Sequence, residues 1–177
     1  MIKIQKALIS VSNKENLKPL LNTLLKYKIE IISSGGTYKK IRELGFKCIQ
    51  LSEFTNTPEI LNGRVKTLHP KIYGGILNKR QNKKHYKEIK KNNYENIDLI
   101  VANFYPFEDT LLKNADHNEI IENIDIGGPT MVRAGAKNYN DVVVICNPNQ
   151  YQRFINELET SKGSTSLSFR ERLAEEA

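Results

Sequence analysis

Short apolar runs alternate with amphipathic stretches along most of this chain. Ala7-Leu8-Ile9-Ser10-Val11 is an apolar run of strand length. Leu17, Leu20, Leu21, Leu24 and Leu25 then recur at i, i+3, i+4, i+7 and i+8, which predicts a helix with one leucine face. Ser12 and Glu15 have capping-box spacing ahead of it, and Pro19 is tolerated there only in the first turn. Residues 30–33 predict a second strand that runs into Ser34-Gly35-Gly36-Thr37 and a helix through Leu44, ended by Gly45. Residues 46–51 read as a third strand. Residues 52–77 are weakly periodic, and so long a segment inside a compact domain is usually functional. A charged helix over 83–91 follows, then the apolar strand 97–104, which exits through Tyr105-Pro106-Phe107. Pro129, in a first helical turn, opens a helix over 130–137, and residues 141–146 form the last strand. Pro148 begins a helix toward Glu159, and the charged, helix-prone stretch 168–177 reads as a connector. The expected division is one domain over 1–160 and a linker over 161–177.

Strands alternating with helices imply βαβ units, hence an α/β fold with a mostly parallel central sheet and right-handed crossovers. Ligands of such sheets bind outside the carboxyl ends of the strands, which singles out the loops there. Ser10-Val11-Ser12-Asn13-Lys14 offers hydroxyls, a cation and the free amides of a helix start. Ser34-Gly35-Gly36-Thr37 offers such amides without side chains to block approach. Free N–H groups at helix starts bind phosphate, so two such loops at neighbouring strand ends point to a phosphate cradle, although either alone is equally a plain cap. It is neither a Walker loop, lacking a following Gly-Lys-Ser/Thr, nor a dinucleotide fingerprint, lacking the third glycine.

Composition narrows the partners. The 177 residues are 39% hydrophobic and 27% charged, which argues against disorder. A net charge of +7 favours anionic partners. The densest basic run, Lys79-Arg80-Gln81-Asn82-Lys83-Lys84, lacks the interleaved aromatics that stack bases, so nucleic acid is not the expected partner. Cys48 and Cys146 sit in apolar runs and read as buried thiols rather than a disulfide framework. The three histidines and two cysteines are too scattered for a metal site, and no apolar run approaches membrane-spanning length. A reducing, cytoplasmic setting is the expectation. Gly63-Arg64-Val65-Lys66-Thr67-Leu68-His69-Pro70 fits neither a strand nor an amphipathic helix. Its glycine and proline shape a loop that presents Arg64 and Lys66 to an anion, or else simply to solvent.

Taken together, these loops, Asn103-Phe104-Tyr105-Pro106-Phe107 and the run from Asp125-Ile126-Gly127-Gly128-Pro129 to Asn138 resemble the IMP cyclohydrolase domain. That domain is the N-terminal half of the bifunctional purine-biosynthesis protein that also carries an AICAR transformylase. Phe104 and Gly135 depart from the family's usual Leu and Ala without removing a functional group. The resemblance implies a methylglyoxal-synthase-like three-layer fold and a cytoplasmic homodimer. It implies dehydrative closure of 5-formamidoimidazole-4-carboxamide ribotide (FAICAR) to inosine monophosphate (IMP), with no metal or cofactor and no transformylase activity. Phosphate contacts would fall on Ser12, Lys14, Ser34, Gly35, Gly36 and Thr37. Base and ribose contacts would fall on Ser10, Arg64, Val65, Lys66, Thr67, Asn103, Asp125, Ile126, Gly127 and Gly128. The catalytic set would be Lys66, Tyr105, Asp125 and Lys137.

These residue types suit the chemistry. A carboxamide nitrogen must lose a proton as it attacks the formyl carbon, whose oxygen gains negative charge and leaves as water. Lys66 would stabilise that oxygen, with Tyr105 as its hydrogen-bond or proton-transfer partner. Asp125 would orient or deprotonate the carboxamide, and Lys137 would hold Asp125 ionised. Two alternatives stay open: a methylglyoxal-synthase-like lyase, which would need an acid–base histidine pattern that His69, His85 and His117 lack, and a non-catalytic effector-binding module.

Overall fold

The computed structural model describes residues 1–104 and 116–177. The apolar run after Gln5 forms β2 (Lys6–Val11), preceded by the short β1 (Ile2–Lys3). The leucine-faced segment forms α1 (Leu17–Lys26), with Pro19 in its first turn. Leu17, Leu20, Leu21 and Leu24 are buried, but Leu25 is 64% exposed: the apolar stripe is four residues wide, not five. The expected capping box does not form. Asn16 caps the helix in a left-handed conformation, and Asn13 Oδ1 accepts from the Glu15 N–H.

Next come β3 (Glu30–Ser33), α2 (Gly35–Glu43) and β4 (Ile49–Gln50). The strand expected over 46–51 shrinks to two residues because Leu51 already opens α3 (Leu51–Thr55). The weakly periodic segment therefore contains structure. After α3 a tight hairpin closes on the Ile60–Val65 bridge, and α4 (Pro70–Leu77) follows. His69 caps α4, its Nδ1 accepting from the Lys71 N–H at 3.1 Å, while Pro70 takes the first helical position. The chain continues with α5 (Lys83–Lys91), β5 (Leu99–Asn103), α6 (His117–Glu122), α7 (Gly127–Lys137) and β6 (Val143–Ile145). It ends with α8 (Tyr151–Thr160), β7 (Ser164–Thr165) and α9 (Leu167–Glu176).

The five-stranded sheet is parallel throughout, in the order β4-β3-β2-β5-β6. The chain builds outward from β2 through β3 to β4, then crosses to β5 and β6 on the other side. The order reverses between β2 and β5, whose register pairs Val11 with Asn103 at their carboxyl ends. Alternation along β2 sends Ala7, Ile9 and Val11 to one core, with α1 and α8, and Leu8 to the other, with α4 and α7. This is a three-layer α/β architecture. The stretch expected as a linker belongs to it. Ser164–Thr165 pairs antiparallel with Ile2–Lys3, and Leu173 and Arg170 of α9 are buried. Apolar residues are sparse in that stretch, and an arginine does part of the anchoring. Arg170 donates to the carbonyls of Tyr139, Thr165 and Asn140.

The amino end of the sheet is tied by a buried polar cluster. Asp98 accepts from the backbone N–H groups of Gln5 and Lys6 at 2.8 and 3.0 Å and from the Arg80 guanidinium. Lys6 is bracketed at 2.5 Å by Glu30 and by Glu95. Burial pulls the Lys6 ammonium down, but those two carboxylates outweigh it and raise its pKa. Cys48 and Cys146 are free thiols. Burial pushes the Cys48 thiol up to about 12, which keeps it protonated and unreactive. Among the described residues no helix is long and apolar enough to cross a membrane, and no cluster of His, Cys, Asp or Glu is placed to hold a metal.

Candidate active site

A cavity of about 580 Å³ opens at the carboxyl edge of the sheet, over the β2/β5 reversal. That is the size of a small-molecule site and the place where open α/β sheets put one. Five separate segments converge on it: the loops after β2 and β3, the hairpin, the end of β5, and the passage from α6 into α7.

The loop after β2 supplies Ser10, Ser12 and Lys14, and the loop after β3 supplies Ser34, Gly35, Gly36 and Thr37. The first turn of α2 leaves backbone N–H groups without helical partners beside the cavity. The Thr37 hydroxyl is already committed. It donates to the Val11 carbonyl at 3.0 Å and accepts from the Val11 N–H at 3.1 Å, bracing the start of α2 against the end of β2. Asn103 is committed too. Its Oδ1 accepts from the N–H groups of Ser12 and Asn13 at 2.7 and 2.8 Å, and its Nδ2 donates to the Asn13 carbonyl at 2.9 Å. Tyr151, buried behind this loop, has its hydroxyl pushed up to about 12 by burial, partly offset by Asn103.

Leu61, Asn62 and Gly63 in the hairpin all have positive φ, of 54°, 54° and 85°. Glycine adopts that region freely, whereas a leucine held there costs on the order of 1 kcal/mol. The left-handed turn aims the residues that follow: Arg64, Lys66 and Thr67 line the cavity, and Val65 does not. The Lys66 ammonium lies 3.8 Å from the point where a Cβ on Gly35 would sit. The cation expected to face the reacting base therefore lies beside the loop after β3.

Asp125 also lines the cavity. Its Oδ1 accepts from the Gly128 N–H at 3.0 Å, which fixes the carboxylate at the start of α7, and Oδ2 has no partner among the described residues. Gly127 and Gly128 leave room for close approaches. A Cβ at Gly127 would collide with the Thr67 hydroxyl, and one at Gly128 would lie 2.5 Å from Asp125 Oδ2 and 3.0 Å from the Phe104 ring. Gly128→Ala should therefore push the carboxylate aside. The expected result is at least about a tenfold loss of any turnover that uses Asp125, since small misplacements at a reacting centre cost that much or more. Circular dichroism should stay unchanged, and full activity would show that Asp125 need not sit where it does.

Of the expected site residues, the cavity gathers Ser10, Ser12, Lys14, Ser34, Gly35, Gly36, Thr37, Arg64, Lys66, Thr67, Asn103, Asp125, Ile126, Gly127 and Gly128. Tyr105 lies outside the described residues. Lys137 is not brought to the cavity. It ends α7 and is exposed, ten residues beyond Gly127, about 15 Å away at 1.5 Å per residue. Within one copy of the chain it cannot hold the Asp125 carboxylate.

Some lining residues escaped the sequence reading. Glu122 stands three residues before Asp125, and a carboxylate one turn away was the available signal. Met131 of α7 closes the floor. Tyr73 of α4 does not line the cavity, and its buried hydroxyl has no hydrogen-bond partner among the described residues. Burial pushes it up to about 12, with Thr130 lowering and the Asp125 charge raising it.

Comparison with known proteins bears on this site. Residues 16–130, more than half of the chain, match the family described as MGS-like domain. The chain belongs to the MGS-like domain family. Residues 135–177 match the family described as AICARFT/IMPCHase bienzyme. Relatives of this MGS-like domain include the bifunctional purine biosynthesis protein PurH of Acetivibrio thermocellus, 50% identical over 97% of this chain. PurH of Prochlorococcus marinus is 49% identical over the same share. The chain spans about a third of the length of these curated relatives, 33% in both cases. The crystal structure of ForH superposes with a TM-score of 0.85 at 30% identity, covering 98% of this chain and 90% of that one. The expected fold, an MGS-like α/β architecture around a parallel sheet, is thus met in both sequence and structure.

Proposed function

We propose that this chain is an IMP cyclohydrolase, closing FAICAR to IMP with loss of water. The observation that carries the reading is the convergence, in one cavity, of a two-loop anion cradle with Lys66 and a helix-anchored Asp125. The PurH relatives, named for purine biosynthesis and matched over nearly the whole chain, support it. The ribotide phosphate would sit at the start of α2 with Lys14 and Ser12, and the base would lie toward Asp125.

In the reaction the carboxamide nitrogen attacks the formyl carbon, forming the new C–N bond. That nitrogen gives up a proton as the formyl oxygen takes one, leaving a ring carbon that bears a hydroxyl. Loss of the hydroxyl with a second nitrogen proton releases water and completes the purine ring. Asp125 Oδ2 is the acceptor for the carboxamide proton, and Lys66 stabilises the oxygen as charge develops on it. Holding the formamido group folded onto the carboxamide supplies much of the rate. Tyr105 keeps its proposed role as hydrogen-bond or proton-transfer partner, and Lys137 is left without a role inside a single copy. The reading includes a cytoplasmic homodimer. Ile60, Leu61, Ile121, Ile124 and Ile126, exposed at and beside the mouth, are apolar surface available to a second copy.

The test follows purine absorbance as synthetic FAICAR is added to the purified chain. Turnover without any added metal or folate supports the proposal. Binding of IMP without turnover would replace it with the effector-binding reading.

A further inference from the structure

Arg64 is already engaged by the protein itself. Its Nε donates to Glu122 Oε2 at 3.1 Å and its Nη2 to Glu122 Oε1, so both arms of the guanidinium fork grip one carboxylate. The partners come from separate segments of the cavity lining: Arg64 from the left-handed hairpin, Glu122 from the last residue of α6. None of the six residues of α6 is buried, so no core packing holds that segment in place. The ion pair is the side-chain tie between the two segments among the described residues. Each partner shifts the other toward its charged form, Arg64 upward and Glu122 downward.

We infer that Glu122 is an affinity-setting clasp: its carboxylate fills the Arg64 fork and must be displaced before an anionic ligand takes that guanidinium. A planar fork that fits a carboxylate fits phosphate or an acceptor oxygen of a ribotide equally well, and it cannot serve both at once. Ligand entry therefore exchanges one acceptor for another and frees α6 from the hairpin. The ligand half of this inference rests on the ribotide reading of the pocket, whereas the occupied fork does not.

The experiment compares the chain with Glu122→Gln, Arg64→Gln and the double variant, by calorimetric titration of IMP. Arg64 modification by phenylglyoxal, mapped on the ligand-free proteins by mass spectrometry, is the second readout. An exposed ion pair contributes little, so Glu122→Gln should bind IMP only about two- to fivefold more tightly than the parent chain. In the Arg64→Gln background the same change should have no effect, because the fork is gone. An equal gain in both backgrounds would mean that Glu122 acts only through the general potential, and would overturn the clasp. So would unchanged or weaker binding by Glu122→Gln. Arg64 should also react faster with phenylglyoxal in Glu122→Gln than in the parent chain, and equal rates overturn the inference whatever IMP does. A parent chain that ignores IMP while Arg64 reactivity responds to Glu122→Gln would sink the ribotide reading and leave the occupied fork standing.

Discussion

Lys66→Ala should lower turnover of FAICAR by about 10²-fold or more, the loss typical of removing a donor aimed at a developing oxyanion. Lys66 is exposed at the cavity wall, so the substitution opens no hole in a core and the fold should survive it. The way the loss divides between kinetic constants is the informative part. With its ammonium 3.8 Å from the Cβ position of Gly35, Lys66 is as well placed for the ribotide phosphate as for the base. A cation that serves the phosphate in ground state and transition state alike would raise KM and spare kcat. A cation that swings onto the formyl oxygen would lower kcat with a modest change in KM. The second outcome is expected, and steady-state kinetics on the variant decide it. A pure KM effect would move Lys66 into the phosphate cradle and end its catalytic assignment.

The largest effect on stability should come from Asp98→Ala. Asp98 is 3% exposed and accepts from two backbone N–H groups of β2's entry and from Arg80. Removing it strands a guanidinium whose Nε already lacks a partner among the described residues, together with the two N–H donors. Breaking one side of a buried pair costs about 3–5 kcal/mol. That is a large share of the roughly 5–15 kcal/mol that holds a domain of this size together. Urea unfolding should show a midpoint shifted far down with an unchanged slope. A loss below about 1 kcal/mol would mean that water takes over the Asp98 contacts and that the cluster is not a structural lock.

Much of the fold could be read from period alone. The runs that became β2, β3, β5 and β6 were visible because strands buried on both faces are continuously apolar. The leucine repeat found α1, though not that Leu25 would face water, because the breadth of a stripe is set by what packs against it. The region between β4 and α5 was illegible for a definite reason. Its two helices are short, and its hairpin depends on Leu61 adopting a left-handed conformation that nothing in leucine's chemistry announces. The candidate site was legible as a set of loops, since strand ends and helix starts locate anion-binding amides. Its internal loyalties were not: Thr37, Asn103 and Arg64 each spend their polar atoms on the protein itself. The distance of Lys137 from Asp125 was within reach of arithmetic. Asp125 precedes α7 and Lys137 ends it, and a helix that long separates its ends by several turns.

Asn103 carries the consequence furthest. By binding Ser12 and Asn13 it makes the turn after β2 and the exit of β5 move as one unit. The conformational entropy of that turn is thus surrendered when the chain folds, not when a ligand arrives. Two amides otherwise open to an anion are silent as well. Whatever binds here meets a receptor with one half rigid from the outset and the other half, the hairpin and α6, joined by one ion pair among the described residues.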